Sequence, residues 1–278
     1  MSPKAPLKVC LVQMNSCSDL NKNLLECEAR IKHAAANDCD LIIFPECVLL
    51  WAKTEITHRE AKDRQGWIDL LSPISPKYKI AIIWGGLGER AGEDVFNSSF
   101  IFDCEGELIN VYRKTHLFQI FSSQQKSMDE TKIYQHGDTG PIIVEISGWS
   151  IGISICYDLR FPEFVRNYAG CDLIINTAAF TKRTGKAHWE VLMRARAIEN
   201  QSYVIGSAQC GVNQLTSMEA YGHSLLIDPW GELIQDLGEE PSCEIFTLDY
   251  KRIIDTREQI PSLYTSFPGL RPIQVEKS

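Results

Sequence analysis

The chain has 278 residues, of which 44% are hydrophobic and 23% charged, enough apolar material for one large compact domain or at most two. The net charge of -8 argues against non-specific nucleic-acid binding, because no basic surplus is available to neutralise phosphates. No apolar stretch approaches membrane-spanning length, and the first residues lack the apolar core of a signal peptide, so neither a nucleic acid nor a membrane is predicted as a partner.

The ten cysteines indicate a reducing environment. None form a Cys-x-x-Cys pair, and none have a histidine at zinc-finger spacing, so no structural metal site is predicted. Cys10, Cys39 and Cys171 lie inside apolar runs, where a free thiol behaves as a small hydrophobe. A cytoplasmic protein with free cysteines is therefore predicted.

In the N-terminal half, the pattern of apolar residues predicts strands alternating with helices. In chain order these are strand 7–13, helix 19–37, a strand within 38–46, helix 63–72, strand 79–85 and a hairpin of strands 96–102 and 107–113. Ser18 or Asp19 can cap the first helix. One face of that helix carries Leu24, Cys27, Ile31 and Ala34 at helical spacing.

The C-terminal half continues the alternation. It contains strand 149–155, strand 171–176, helix 188–200, strand 203–208, a hairpin of strands 222–227 and 232–237, and helix 252–259. Helix 188–200 carries Val191, Leu192, Ala195 and Ile198 on one face. The two hairpins share Asp-x-x-Gly-Glu-Leu-Ile, at 103–109 and 228–234, which would fit two similar sheets. No linker divides the chain, which predicts one mixed α/β domain with helices covering sheet faces.

Three of these strands end in residues with complementary chemistry. Cys156 follows the isoleucine-rich strand 149–155, Glu46 ends the strand within 38–46, and Lys114 follows strand 107–113. Because ligand sites gather at strand ends in sheets covered by helices, these three residues are expected to meet. Together they would supply a nucleophile, an acid/base and a cation.

The chain resembles the nitrilase superfamily of carbon–nitrogen hydrolases in motifs that cover nearly its whole length. These are Phe-Pro-Glu at 44–46, Tyr-Arg-Lys-Thr-His-Leu at 112–117, Cys-Tyr-Asp-Leu-Arg-Phe-Pro-Glu at 156–163, Ala-His-Trp-Glu at 187–190, Arg-Ala-Arg-Ala-Ile-Glu at 194–199, Tyr-Gly-His-Ser at 221–224 and Asp-Pro-Trp-Gly at 228–231. The resemblance is strongest to the branch of deaminated glutathione amidase and ω-amidase. It implies a four-layer α-β-β-α sandwich, a homodimer or higher homo-oligomer formed through helices, a Glu-Lys-Cys triad, and neither a metal nor an organic cofactor.

The chemistry of amides gives each triad residue a role. Cys156 would attack the amide carbonyl, and Glu46 would take the thiol proton and pass it to the departing ammonia. Lys114 and the Tyr157 backbone N–H are the candidate donors to the oxyanion. Glu46 would then activate the water that hydrolyses the thioester. Lys114 is also expected to favour the thiolate.

The family has a further glutamate between the lysine and cysteine motifs, and Glu130 takes that place, with Asp129 as the neighbouring alternative. Segment 119–133 departs from the family's usual Gly- and Pro-bearing loop. Glu130 would pair with Lys114 or help to position the substrate.

Substrate-binding residues are predicted from the same branch. Its arginine matches Arg160, which would bind a substrate carboxylate; the alternative is a structural salt bridge of Arg160 with Asp158 or Glu163. Phe180 and Thr184 match pocket positions. The histidines at 116, 188 and 223 are expected to be structural, because the Glu-Lys-Cys scheme needs no imidazole.

The predicted function is hydrolysis of a small carboxylate-bearing amide, either deaminated glutathione or an ω-amide of a 2-oxo dicarboxylic acid. The alternatives are a nitrilase, an N-carbamoyl amino acid hydrolase, or a non-catalytic scaffold on the same fold. The predicted domain is 1–278, with 262–278 as a C-terminal tail. The basic pair that the branch carries after 259–261 is absent.

Overall fold

Two β-sheets dominate the computed structural model, which describes residues 4–121 and 128–264. The strands are β1 (Leu7–Gln13), β2 (Leu41–Ile43), β3 (Lys62–Asp63), β4 (Ala81–Ala91), β5 (Asp94–Phe102), β6 (Leu108–Arg113), β7 (Gln119–Ile120), β8 (Met128–Asp129), β9 (Ile142–Ile146), β10 (Trp149–Ile155), β11 (Leu173–Ala178), β12 (Tyr203–Ala208), β13 (Cys210–Val212), β14 (Glu219–Tyr221), β15 (Leu225–Ile227), β16 (Leu233–Asp236) and β17 (Ser242–Leu248). The helices are α1 (Leu20–Ala36), α2 (Thr54–Glu60), α3 (Arg64–Leu71), α4 (Ile74–Tyr78), α5 (Pro162–Val165), α6 (Lys182–Asn200) and α7 (Tyr250–Gln259).

The two sheets have similar topology. The first has the order β17-β1-β2-β4-β5-β6, with β3 beside β4, and the second has the order β16-β15-β12-β11-β10-β9. In each, three parallel strands (β1, β2 and β4; β10, β11 and β12) are flanked by antiparallel ones. The carboxyl ends of the parallel strands in a sheet point the same way, so the turns after β2 and β10 lie where a site is expected.

Strand β1 illustrates how the layers form. Leu7, Val9 and Leu11 belong to the core between the two sheets, whereas Cys10 and Val12 face the second core under the helices. This alternation is the period of two that a strand buried on both faces requires. Helix α1 contributes Cys27, Ile31 and Ala34 to the outer core, as its spacing predicts. The predicted four-layer α-β-β-α sandwich is confirmed.

Several element boundaries differ from the predictions. Asp19 caps α1, since its side chain accepts the backbone N–H of Lys22. Strand β4 does not end at residue 85 but continues through a bulge to Ala91. Helix α6 begins at Lys182, six residues earlier than predicted, because the Thr181 side chain caps it. The elements α2, α4, β9 and β17 had no sequence prediction.

The apolar face predicted for helix 188–200 is not the face of α6 that is buried most deeply, although Leu192 of that face is partly buried against the core. The face of α6 that packs on the core carries Trp189, Met193 and Ala197, spaced four residues apart. Val191 and Ile198 are instead 69% and 53% exposed. Apolar spacing alone therefore identified a surface stripe, while the larger Trp and Met side chains fill the space above β12.

Most of the predicted C-terminal tail, 262–278, lies outside the described residues. The part of the tail that is described is a short 3-10 turn, Ser262–Tyr264. Within the described ranges, no helix is long and apolar enough to cross a membrane.

Candidate active site

The carboxylate of Glu46 and the ammonium of Lys114 meet in a buried ion pair. Glu46 lies in the turn after β2, and Lys114 directly follows β6. The Lys114 Nζ donates to Glu46 Oε1 at 2.8 Å, and the two side chains are 0% and 2% exposed. Because both charges are removed from water, each depends on the other for its stability.

Three further contacts fix the position of Glu46. Asn97 Nδ2 donates to Oε1 at 2.9 Å, and the backbone N–H of Ala179 donates to Oε2 at 2.9 Å. The side chain of Gln209 donates to the Glu46 carbonyl oxygen at 2.9 Å. The carboxylate is therefore oriented before any substrate arrives, as general acid–base catalysis requires.

Gly86 makes room for this turn. A Cβ atom at this position would lie 2.5 Å from the backbone nitrogen of Cys47 and 2.7 Å from Glu46 Cγ. Gly86 also has a φ of +62°, which favours glycine over other residues. The glycine pair at 85–86, predicted as a strand end, thus lets β4 pass close to the turn that carries Glu46.

Glu130 is a second carboxylate partner of Lys114. Its Oε1 and Oε2 accept from Lys114 Nζ at 3.0 and 2.8 Å, and Oε2 also accepts the backbone N–H of Phe118 at 2.7 Å. The neighbouring Asp129 instead accepts from Thr131 at the start of a 3-10 turn. Of the two alternatives for the additional acidic residue, the structure brings Glu130 to Lys114.

The electrostatics of this cluster follow from burial and charge pairing. Burial alone would lower the pKa of Lys114, but the carboxylates of Glu130 and Glu46 raise it well above the usual value. Burial raises the pKa of Glu130 and the Glu46 charge adds to this, although Lys114 opposes both. Lys114 therefore keeps its proton and its positive charge at neutral pH.

Cys156 lies beside this cluster, at the start of a 3-10 turn that follows β10. It is 8% exposed and has a φ of +46°, a strained conformation for a residue other than glycine. Strain of this kind at a strand-to-turn junction is typical of a nucleophile held towards a cleft.

The thiol of Cys156 is neutral at rest. Burial and the nearby Glu46 carboxylate raise its pKa well above the usual value, whereas Lys114 and the Ala179 N–H lower it. As expected, the charge of Lys114 lowers the pKa of Cys156. Burial and the carboxylates of Glu46 and Glu130 raise this pKa by more. The thiol would consequently need a base when it attacks, and Glu46 shares the Ala179 N–H with it.

Asp158 holds the turn that carries Cys156. Its Oδ2 accepts from the Tyr112 hydroxyl at 2.6 Å and from the Ile155 N–H at 3.1 Å, and its Oδ1 accepts from the His116 backbone and contacts the His116 ring. These bonds tie the end of β10 to the end of β6. The carboxylate of Asp158 therefore bonds to these groups and not to Arg160. His116 helps to hold the turn through Asp158, a structural role.

A cleft of about 220 Å³, counted with the solvent space at its mouth, opens onto the thiol. It is lined by Phe118, Cys156, Tyr157, Arg160, Ala179, Phe180, Thr181 and Thr184. The lining includes every residue predicted to bind substrate. Thr184 also shares a hydrogen bond with the Thr181 hydroxyl at 2.9 Å, so its own hydroxyl is partly engaged.

Arg160 lies at this cleft without an acidic partner. Its guanidinium is 5.7 Å from the ring centre of Tyr157 and 5.2 Å from that of Phe180, and Nη1 contacts His188 Nδ1 at 3.1 Å. Burial lowers its pKa, and no carboxylate among the described residues forms a salt bridge with it. The alternative of a structural pair with Asp158 or Glu163 is not found there.

Asn97 and Gln209 were missed by the sequence reasoning. A signal for Asn97 exists, because Asn97, Ser98 and Ser99 form a polar run inside a strand that is otherwise apolar, and all three are buried. Buried polar residues in a strand centre need partners and so point to a site. Gln209 lies in Ala-Gln-Cys-Gly at 208–211, a motif that resembles the same branch, but the sequence gives no role for its side chain. Among the residues with described coordinates, no cluster of three or more His, Cys, Asp or Glu could hold a metal ion.

Comparison with known proteins identifies the class. The carbon–nitrogen hydrolase family profile matches residues 8–258. The chain is 34% identical over 269 residues to the deaminated glutathione amidase of Dictyostelium discoideum, covering 91% of each chain. It is 30% identical over 273 residues to omega-amidase NIT2 of Mus musculus, covering 97% of this chain and 98% of that protein.

A solved structure agrees with these relatives. The NitFhit protein of C. elegans superposes with a TM-score of 0.86 at 29% identity over 94% of this chain, which spans 65% of that protein's length. The chain belongs to the carbon–nitrogen hydrolase family, within the nitrilase superfamily that its motifs resemble. It is a hydrolase that acts on carbon–nitrogen bonds, and its relatives support amidase activity.

Proposed function

We propose that this protein hydrolyses the amide of a small carboxylate-bearing substrate to an acid and ammonia, through a thioester on Cys156. The substrate would be deaminated glutathione or an ω-amide of a 2-oxo dicarboxylic acid. Two relatives, named deaminated glutathione amidase and omega-amidase, support this choice. The observation that carries the proposal is the buried ion pair of Glu46 and Lys114, held by the partly buried Glu130, beside a thiol that opens onto a cleft.

Glu46 acts as the base and then as the acid. The neutral thiol of Cys156 gives its proton to Glu46 as sulfur attacks the amide carbonyl carbon. When the tetrahedral intermediate collapses, the C–N bond breaks and Glu46 returns the proton to the leaving nitrogen. In the second step Glu46 takes a proton from water as the water oxygen attacks the thioester carbon. The C–S bond then breaks, the acid is released, and Glu46 returns the proton to the Cys156 sulfur.

Lys114 and the Tyr157 N–H stabilise the oxyanion. Lys114 remains charged because two carboxylates hold its proton, so it can donate to the developing negative charge. Tyr157 lies in the first turn of a 3-10 helix, where backbone N–H groups have no partner within the helix. Glu130 keeps Lys114 in place without taking part in proton transfer.

Arg160 selects amides that carry a carboxylate. A half-buried guanidinium with no described acidic partner favours an anionic ligand, and its planar fork matches a carboxylate.

We further infer that the protein is cytoplasmic and assembles as a homodimer or higher homo-oligomer through α6. All ten cysteines are free, in keeping with a reducing compartment. Val191 and Ile198 leave an apolar stripe exposed on α6, and Trp230 and Ile234 are exposed by 45% and 46%. Light scattering of wild type and Val191→Glu tests the assembly: a monomeric wild type would refute it.

Ammonia release tests the proposed function. The substrates are deaminated glutathione, 2-oxoglutaramate, succinamate, a neutral amide and an N-carbamoyl amino acid, with Cys156→Ala as the blank. Turnover of an acidic amide well above the neutral one supports the proposal. Preference for the N-carbamoyl compound would move the assignment to that alternative, and no turnover of any of the five would contradict amidase activity.

A further inference from the structure

A second pair of cysteines lies apart from the active site, on the helix-covered face of the first sheet. Cys10, in the centre of β1, and Cys243, near the start of β17, have their sulfur atoms 3.1 Å apart. The two strands are antiparallel neighbours, with Cys10 opposite Ile245 and Cys243 opposite Val12. The two cysteines are therefore diagonal neighbours on the same face. Cys10 belongs to the outer core, whereas Cys156 belongs to the core between the sheets.

The pair is chemically asymmetric. Cys10 is fully buried, and Cys243 is half-buried on β17, the edge strand of its sheet. The hydrogen bond from Cys10 lowers the pKa of Cys243, and the positive charge of Arg30 lowers it further against the effect of burial. The bond to Cys243 and burial both raise the pKa of Cys10. Cys243 is therefore the more acidic thiol of the pair.

Arg30 on α1 is the cation whose charge lowers the pKa of Cys243. Its Nη2 is paired with Glu26 at 2.6 Å, but its Nε is buried and has no hydrogen-bond partner in the described part of the chain. A buried donor without an acceptor is unusual, and a thiolate beside it would supply the missing negative charge.

We propose that Cys10 and Cys243 form a peroxide-sensitive dithiol that closes to a disulfide and joins the edge strand β17 to β1. The Cys243 thiolate attacks one oxygen of hydrogen peroxide, the O–O bond breaks, and the departing hydroxide takes a proton to become water. The Cys10 sulfur then attacks the sulfenic acid on Cys243, forming the S–S bond, and the hydroxyl leaves with the Cys10 proton as a second water. The dithiol loses two electrons, and peroxide gains them.

The two sulfur atoms are already close. The sulfur atoms must approach by about 1 Å to reach the S–S bond length of roughly 2.05 Å. The link would join residues 233 positions apart, so it would restrict the unfolded chain strongly. We expect the oxidised protein to melt roughly 5 to 10 °C higher than the reduced protein, and dithiothreitol to reverse the rise.

Peroxide titration of the full-length protein tests this, with Cys104 as an internal reference because it is an exposed thiol. Peptides are mapped by mass spectrometry without reduction. At the peroxide dose that oxidises about half of Cys104, we expect nearly all of the protein to yield the disulfide-linked Cys10–Cys243 peptide. This peptide should be absent from Cys243→Ser. The matched control Cys210→Ser removes another buried thiol and should keep the link.

Three results would overturn the proposal. Oxidation of Cys104 while Cys10 and Cys243 remain reduced would show that the contact gives no reactivity. Cys39 lies close enough to Cys243 for the Cys243 charge to raise its pKa. A disulfide between Cys243 and Cys39 would show that Cys10 is the wrong partner. A disulfide that forms without any change in melting temperature would refute the stabilisation expected from a link between β17 and β1. The first two results are read from the wild-type protein, so they do not depend on whether Cys243→Ser folds.

Discussion

Replacing Arg160 with alanine should separate recognition of the substrate carboxylate from the chemistry at Cys156. Arg160 lines the cleft but belongs to neither the buried ion-pair cluster nor the turn at Asp158. Only its Nη1 has a hydrogen-bond partner among the residues described, so Nη2 and Nε remain for a carboxylate. The variant should therefore fold and keep its thiol chemistry.

The expected loss follows from the hydrogen bonds that alanine cannot make. Hydrogen bonds to a charged group contribute about 1.5–3 kcal/mol, which corresponds to a loss in kcat/KM of roughly 10- to 150-fold for an acidic amide. A neutral amide makes no such bond, and its kcat/KM should change by less than about threefold. Because this binding is similar in ground and transition states, most of the loss should appear in KM.

The assay is steady-state ammonia release from succinamate and from a neutral amide of the same length. Arg160→Lys keeps the charge but loses the planar fork, so it should fall between wild type and alanine. Arg59→Ala removes an exposed charge that pairs with Glu60 and serves as the control. Equal losses on the acidic and neutral amides would refute the carboxylate site.

Three further predictions concern the residues around the thiol. Glu130→Gln should lower kcat by roughly 10- to 1,000-fold, because it weakens the interaction that positions the Lys114 ammonium. Asp129→Asn should keep a kcat near that of wild type, since Asp129 bonds to Thr131 instead. Equal kinetics of the two variants would contradict the role of Glu130. Asn97→Leu removes a donor from Glu46 and should lower kcat/KM by about 5- to 150-fold, which unchanged kinetics would refute. The alkylation rate of Cys156 should still be rising at pH 9, and in Glu46→Gln the rise should move to lower pH because the carboxylate that raises the pKa is gone. A plateau below neutral pH would instead show a resting thiolate.

The sequence predicted the strand ends better than it predicted the packing between elements. Glu46, Lys114 and Cys156 each follow an apolar run, and the β sandwich brings the first two into contact beside the third. Strand ends are visible because hydrophobicity stops there abruptly. The apolar stripe of α6 has the same periodicity as a core face, and only the placement of Trp189 and Met193 distinguishes the two.

Contacts between distant parts of the chain required the structure. Gln209 reaches the Glu46 carbonyl across 163 positions, and Cys10 meets Cys243 across 233. Both contacts depend on strand order and register, which local patterns do not contain. The raised pKa of Cys156 is a similar case, because it depends on how completely the fold buries the thiol and on which charges lie nearby.

Detection of the thioester tests the central claim most directly. Wild type and Cys156→Ala would be mixed with succinamate, quenched in acid within the first turnovers, and analysed by intact-mass and peptide mass spectrometry. The account predicts an added succinyl group on the peptide that contains Cys156, released ammonia at least equal to the adduct, and neither product with Cys156→Ala. Ammonia release by Cys156→Ala near the wild-type rate, or turnover of wild type with the acyl group on another residue, would contradict the account.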